Sequence, residues 1–355
     1  MGQRADWDES LPKRNGGCLP TVVPDTVRVA PGEVGHIPAS LRRGEHNLEI
    51  KIVPISPVEF HDPFYSGTLK RFPDINAESM AFPRANLLDI QVLDHRGPAG
   101  IIFHMSRCGS TLLAHFLRGT EDCLVFCEPP ALNSLLMPPW GDYSENEIIG
   151  GIRIIIGLLA QAASGRRYIL KLRSWNTLFA ATILRALPNT PWVFLTRDPV
   201  EIAVSVMKNP STWVRMYDSD QNPFLFALDR MPINSDSLEI YISRILGAFT
   251  RGIQGLDVGT GWLERYEQLT ATASSNIAGR FGLKTGPHDF DRMATQALFY
   301  SKDPKRQTRF RPDSASKRAF ASRKLIGALE RHAIPDLNRL IERFAHPHEA
   351  NTKLR

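Results

Sequence analysis

From Pro98 onward, short apolar runs alternate with longer segments of helical spacing, and this alternation constrains the fold more than any other feature of the chain. Residues 99–104 (AGIIFH), 123–127 (CLVFC), 168–172 (YILKL) and 192–196 (WVFLT) read as short strands buried on both faces. Helical patterns occupy 110–117, 148–163, 177–187, 200–207, 237–254 and 270–281, and 260–263 leads into a fifth strand. This order implies an α/β protein whose parallel sheet is flanked by helices on both faces. Such sheets hold ligands at the carboxyl ends of their strands, near the point where the strand order reverses.

The first quarter has a different texture. Met1 to Leu41 is rich in Pro, Gly and charge and reads as an irregular arm. Residues 47–54 (NLEIKIVP) alternate as a strand does, and 62–71 opens a helix, with Asp62 as cap and Pro63 in its first position. The organisation that follows is an N-terminal accessory segment over 1–98, a main domain over 99–345 and a tail over 346–355.

One stretch carries recognisable chemistry: Phe103-His104-Met105-Ser106-Arg107-Cys108-Gly109-Ser110-Thr111-Leu112, between a buried strand and a helix. The amides at a helix N-terminus lack intrahelical partners, and the helix dipole favours an anion there. Gly109 allows close backbone approach, Ser110 and Thr111 add hydroxyls, and Arg107 adds a charged fork. A tight turn capped by Ser110 is the plainer alternative. An NTP-binding loop would read G-x-x-x-x-G-K-[ST], but the chain contains no Gly-Lys pair. A cysteine phosphatase places an Arg six residues after its nucleophile, where Cys108, Cys123 and Cys127 have Ala114, Pro129 and Asn133.

Residues 106–112 (SRCGSTL) resemble the 5′-phosphosulfate loop of sulfotransferases that use 3′-phosphoadenosine 5′-phosphosulfate (PAPS), closer to the Arg-Ser-Gly loop of Golgi and bacterial members than to the cytosolic loop. Arg197 at a strand end with Ser205 eight residues later is similar to that family's 3′-phosphate motif, with Asp198 and Pro199 supplying a helix cap in the same stretch. Residues 264–269 (ERYEQL), before a helix ending Arg280-Phe281-Gly282-Leu283, are similar to a late structural motif of the family. The resemblance spans roughly 100–283. It implies a P-loop nucleotide-kinase-like fold and sulfuryl transfer from PAPS, leaving PAP, to a hydroxyl of a small molecule or carbohydrate.

By that resemblance Arg107, Cys108, Gly109, Ser110, Thr111, Leu112, Arg197 and Ser205 bind the donor. Arg107 and Lys171 stabilise charge, and Glu128, in 125–130 (VFCEPP), is the general base. Cytosolic members place a catalytic His where this chain has Arg173, whose guanidinium holds its proton at any ordinary pH. Leu112 stands where cytosolic members carry a Trp, and Trp175 is a candidate replacement. His104 and His115 read as supporting residues. The basic run 301–311 is a candidate to close on the 3′-phosphate, and the aromatics of 210–232 are a candidate acceptor wall. A P-loop kinase or NTPase with a divergent loop and a non-catalytic PAP-binding protein of the same fold remain alternatives.

Composition narrows the rest. The formal charge of +6 suits an anionic ligand, but it is spread along the chain without a basic block, so no nucleic-acid partner is expected. Cys18, Cys108, Cys123 and Cys127 form no paired metal or disulfide pattern, which points to reduced thiols and no metal. The polar start lacks an apolar signal core, and no apolar run approaches the ~20 residues of a membrane span, so the expected location is the cytoplasm.

Overall fold

Five parallel strands form the centre of the molecule in the order β10-β9-β6-β8-β7. The structure, a computed structural model, describes residues 26–27, 36–55, 62–72, 77–89, 91–92, 96–120, 123–228, 237–296, 298–299, 301, 303, 307–309 and 313–345. Its strands are β1 (Thr26–Val27), β2 (His36–Arg43), β3 (Asn47–Pro54), β4 (Glu78–Pro83), β5 (Gln91–Val92), β6 (Gly100–His104), β7 (Cys123–Cys127), β8 (Arg167–Lys171), β9 (Trp192–Thr196) and β10 (Gly261–Arg265). The α-helices are α1 (Tyr65–Lys70), α2 (Ser110–Arg118), α3 (Pro130–Leu136), α4 (Glu145–Ala162), α5 (Ala180–Ala186), α6 (Pro199–Lys208), α7 (Thr212–Arg215), α8 (Leu238–Gln254), α9 (Ala271–Arg280), α10 (Pro287–Gln296), α11 (Ser314–Ala319), α12 (Arg323–His332) and α13 (Ile334–Ala345).

The α/β architecture and the parallel sheet match the sequence pattern. β6, β7 and β9 are buried at every position, as strands covered on both faces must be. Helices flank the sheet: α2, α9 and α10 pack on one another, while α8 packs with α12, α13 and α5. β6 lies between β8 and β9, so the chain leaves it toward one edge and later returns past it to build the other. The strand order therefore reverses at β6, which puts the turn after β6 at the ligand-binding position of such a sheet.

Local chemistry sets the helix boundaries. α4 begins three residues earlier than its apolar spacing suggests, because Ser144 and Glu147 form a capping box. Asp198 caps α6 by accepting from the Val200 amide at 2.8 Å, with Pro199 in the first turn. At α1 the sequence expectation fails: the cap position is Phe64, while Asp62 accepts from Thr68 at 3.0 Å and from Arg71 at 2.8 Å. Asp62 thus serves side chains rather than amides, and Phe64, at the cap position, is half-buried at the wall of a cleft.

The N-terminal part is also more regular than its composition implies. β2 begins at His36, inside the stretch expected to be irregular, and forms an antiparallel sheet with β3 and β4. This sheet packs on α3 and α4. Arg43 fastens it by donating to the carbonyls of Leu135, Met137 and Pro139 near the end of α3. Residues 1–25 and 28–35, the 346–355 tail and Cys18 lie outside the described residues. No helix among the described residues is long and apolar enough to cross a membrane.

Close helix packing gives a stability prediction. At Gly247 in α8 an added Cβ would overlap the carbonyl oxygen of His332 and lie 3.0 Å from a carboxylate oxygen of Asp336. Gly247→Ala is expected to destabilise the protein by about 1–3 kcal/mol, measured by urea unfolding, despite the better helix propensity of Ala.

Candidate functional site

The loop after β6 owes its shape to left-handed backbone at Ser106 (φ 78°), Arg107 (φ 46°) and Gly109 (φ 82°). Curling of this kind directs successive amides into one concavity, which continues into the N-terminus of α2. Gly109, not Ser110, occupies the cap position, and no side chain caps the helix. A Cβ at Gly109 would also lie 2.5 Å from the Tyr266 ring, so both conformation and space require glycine. The loop opens on a cleft of about 580 Å³.

Arg107, Gly109, Ser110, Thr111 and Leu112 line that cleft, as do Glu128, Lys171, Arg197 and Ser205. Elements far apart in sequence therefore bring nine of the ten residues singled out for the site to one cavity. Cys108 is the exception. Its side chain is fully buried and its thiol donates to the Leu195 carbonyl at 3.2 Å, so what it can offer a ligand is its backbone N–H. Burial pushes that thiol up to about 12, which leaves it no nucleophilic character near neutral pH.

Arg197 stands at the tip of β9 and is 6% exposed. Its guanidinium pairs with Glu201 at 2.6 Å and with Asp313 at 3.3 Å, and it donates to Ser314 Oγ at 3.2 Å. It also reaches the Arg107 carbonyl at 3.3 Å and lies 4.1 Å from the centre of the Tyr266 ring. Arg318 meets Asp198 at 2.9 Å and Glu201 at 3.0 Å. Ser205 follows two turns along α6 and faces the same cleft. Arg107 crosses back to α6 by donating to the Asn209 carbonyl at 2.6 Å.

Glu128 leaves β7 with left-handed backbone (φ 60°), and its amide donates to the Lys171 carbonyl at 2.7 Å. Its carboxylate is paired with the buried Lys171 ammonium and with Arg173 Nε at 3.2 Å. Burial alone would raise its pKa, but Lys171 and Arg173 outweigh burial and hold it at about 2. Glu128 is therefore ionised at neutral pH and is a weak proton acceptor while both cations remain beside it. Arg173 acts here as a partner of Glu128.

Several cleft residues were not singled out from the sequence. Phe64, from the turn before α1, lies with its ring 5.4 Å from Lys171 Nζ. Tyr266, in a stretch read as structural, lines the cleft against Gly109 and Arg197. Lys208, Asp313, Ser316 and Lys317 complete the Arg197 side. Glu201, behind the cleft wall and paired with Arg197, was not singled out either. Trp175 and Trp213 both contribute to the wall. Of the basic run 301–311, Ser301 lines the cleft, whereas 302, 304–306, 310 and 311 lie outside the described residues, as do 229–232 of the aromatic segment.

Among the described residues, the charges lining the cleft are seven cations (Arg107, Lys171, Arg173, Arg197, Lys208, Arg215 and Lys317) against the carboxylates of Glu128 and Asp313. This excess favours an anionic ligand. Among the described residues no group of three or more His, Cys, Asp or Glu could hold a metal ion.

No family model and no curated protein matches the chain. Among solved structures it is similar to the sulfotransferase domain from the curacin biosynthetic pathway, at 15% identity over 55% of this chain and 77% of that one, with a TM-score of 0.36. A sulfotransferase from Mycobacterium avium is 11% identical over 66% of this chain and 76% of that one, with a TM-score of 0.37. One from Alicyclobacillus acidocaldarius is 14% identical over 69% and 94%, with a TM-score of 0.36. Likeness at this level assigns no activity; the functional reading rests on the cleft.

The Glu128 cluster predicts a pH dependence. A carboxyl lowered from 4.5 to about 2 on folding contributes stability that is complete above its unfolded pKa and is lost as pH falls through the folded one. The stability difference between wild type and Glu128→Gln, from urea unfolding, is therefore expected to stay level from neutral pH to about 4.5 and to narrow steadily toward about 2.

Proposed function

We propose that the cleft transfers a sulfuryl group from PAPS to a hydroxyl of a small molecule or carbohydrate. One observation carries this reading: a curled, amide-rich loop at a helix N-terminus and an Arg197–Ser205 pair on a neighbouring strand and helix open on the same cation-rich cleft. A donor bearing phosphate at both the 3′ and 5′ positions of its ribose needs two anion seats on one adenosine. A Walker-type loop for a nucleoside triphosphate carries a Gly-Lys pair, which the chain lacks.

In this reading the amides from Gly109 to Leu112, with Arg107, hold the 5′-phosphosulfate and stabilise the leaving 5′-phosphate. Arg197 and Ser205 hold the 3′-phosphate and select this donor over ATP. The acceptor oxygen attacks sulfur in line with the bridging oxygen. The new S–O bond forms as the old one breaks, and its electron pair leaves with PAP. Glu128 takes the hydroxyl proton.

The pairing of Glu128 with Lys171 sets a condition on that last step. A carboxylate held at about 2 gains proton affinity when its nearest cation moves away. In the proposed mechanism Lys171 turns from Glu128 to the oxygens of the transferring group. That movement would strengthen the base and neutralise the developing charge together. The buried Lys171 stem and the Phe64 ring beside it keep the ammonium close to both destinations.

The test is transfer from radiolabelled PAPS to a panel of sugar, phenolic, aliphatic-alcohol and peptide acceptors, run beside thermal shifts with PAP and ATP. Wild type is expected to label at least one acceptor class and to be stabilised by PAP more than by ATP. Glu128→Gln is expected to lose about 10²–10⁴-fold in turnover while keeping its PAP shift. A PAP shift with no labelled acceptor would support a binding protein instead, and a larger shift with ATP would support a kinase-like protein.

A further inference from the structure

We infer that His104 is the positioning residue of the anion loop, acting as a neutral imidazole that carries its single proton on Nε2. The functional weight of this role rests on the reading of the loop as the 5′-phosphosulfate seat. The tautomer does not, because two backbone groups dictate it.

His104 is the last residue of β6 and is 5% exposed. Its Nδ1 lies 3.1 Å from the Ser106 amide nitrogen. A peptide N–H can only donate, so Nδ1 presents its lone pair. Its Nε2 lies 2.9 Å from the Leu172 carbonyl oxygen. A carbonyl can only accept, so Nε2 holds the hydrogen. The ring thus joins the first residue of the curl to the chain leaving β8.

That bond falls where the backbone most needs support. Ser106 and Arg107 are consecutive non-glycine residues in left-handed conformation. Non-glycine residues keep that conformation only where the surrounding structure holds them in it. The His104 contact is made by the amide of the first, so it fixes the direction in which the following amides point. A second proton on the ring would set Nδ1–H against Ser106 N–H and abolish the contact. Glu128 is the carboxylate that would favour an imidazolium, and it is already held by Lys171 and Arg173.

The test uses the full chain and two substitutions that each preserve one end of the ring. In His104→Asn the side-chain oxygen can reach the Nδ1 position and still accept from Ser106. In His104→Gln the amide extends to the Nε2 position and keeps only the Leu172 contact. Imidazole nitrogen NMR at about pH 7, assigned by loss of the signal in His104→Asn, is expected to show a neutral ring protonated on Nε2. Hydrogen exchange at the Ser106 amide is expected to remain slow in the Asn variant and to accelerate in the Gln variant. PAP affinity by calorimetry is expected to fall by less than about threefold for Asn and by more than about tenfold for Gln. A charged ring, an Nδ1–H tautomer, or equal exchange and equal affinity in the two variants would overturn the assignment. If wild type binds no PAP, the sulfuryl-transfer reading fails, while the ring tautomer and Ser106 exchange still decide the role of His104.

Discussion

The Arg197 guanidinium is the contact on which the geometry of the cleft depends. It is buried at a strand tip, yet it touches α6 through Glu201, the anion loop through the Arg107 carbonyl, the start of α11 through Asp313 and Ser314, and the β10 side through Tyr266. Removing a charge from water is costly, and an ion pair like Arg197–Glu201 is weak evidence of net stability. Its value here is positional. A planar fork with several donors can fix the relative placement of the four elements it touches. The curled loop and the Arg197 side of the cleft are therefore built into one network.

That network also limits how the cleft can attract an anion. Much of the charge near Arg197 is balanced by Glu201, Asp313 and Asp198, which pair with Arg197, Lys317 and Arg318. Lys171 and Arg173 are likewise set against Glu128. The cations are thus held in place by internal carboxylates before a ligand arrives. Such preorganisation lowers the reorganisation needed on binding, at the cost of some attraction at long range.

Four of the five core strands were legible in the sequence because strands buried on both faces are continuous apolar runs bounded by turns, whereas β10 (GWLER) lies at the sheet edge and only its approach at 260–263 was marked. The anion loop was legible because its chemistry is local: a strand, a curl and a helix N-terminus in ten residues. Tertiary contributions to the cleft were not. Nothing near Phe64 shows that Asp62 will be drawn to Thr68 and Arg71 and that Phe64 will take the cap position. Likewise, Asp313 and Lys317 belong to a short helix whose placement depends on Arg197, more than a hundred residues earlier. β4 (ESMAFP) escaped notice because its burial is concentrated in three consecutive residues rather than alternating. Glu201 was hidden too: Arg197 precedes the Asp198 cap at a strand tip, so the spacing rule for pairs on one helix does not reach it.

The central claim is that a single cleft grips an adenosine by two separate phosphates. Calorimetric titration of the full chain with PAP and with AMP, which lacks the 3′-phosphate, tests it most directly. The account predicts tighter binding of PAP by about 10- to 100-fold, the scale of one or two charged hydrogen bonds, with the gap shrinking in Ser205→Ala. Equal affinity for the two nucleotides would contradict it.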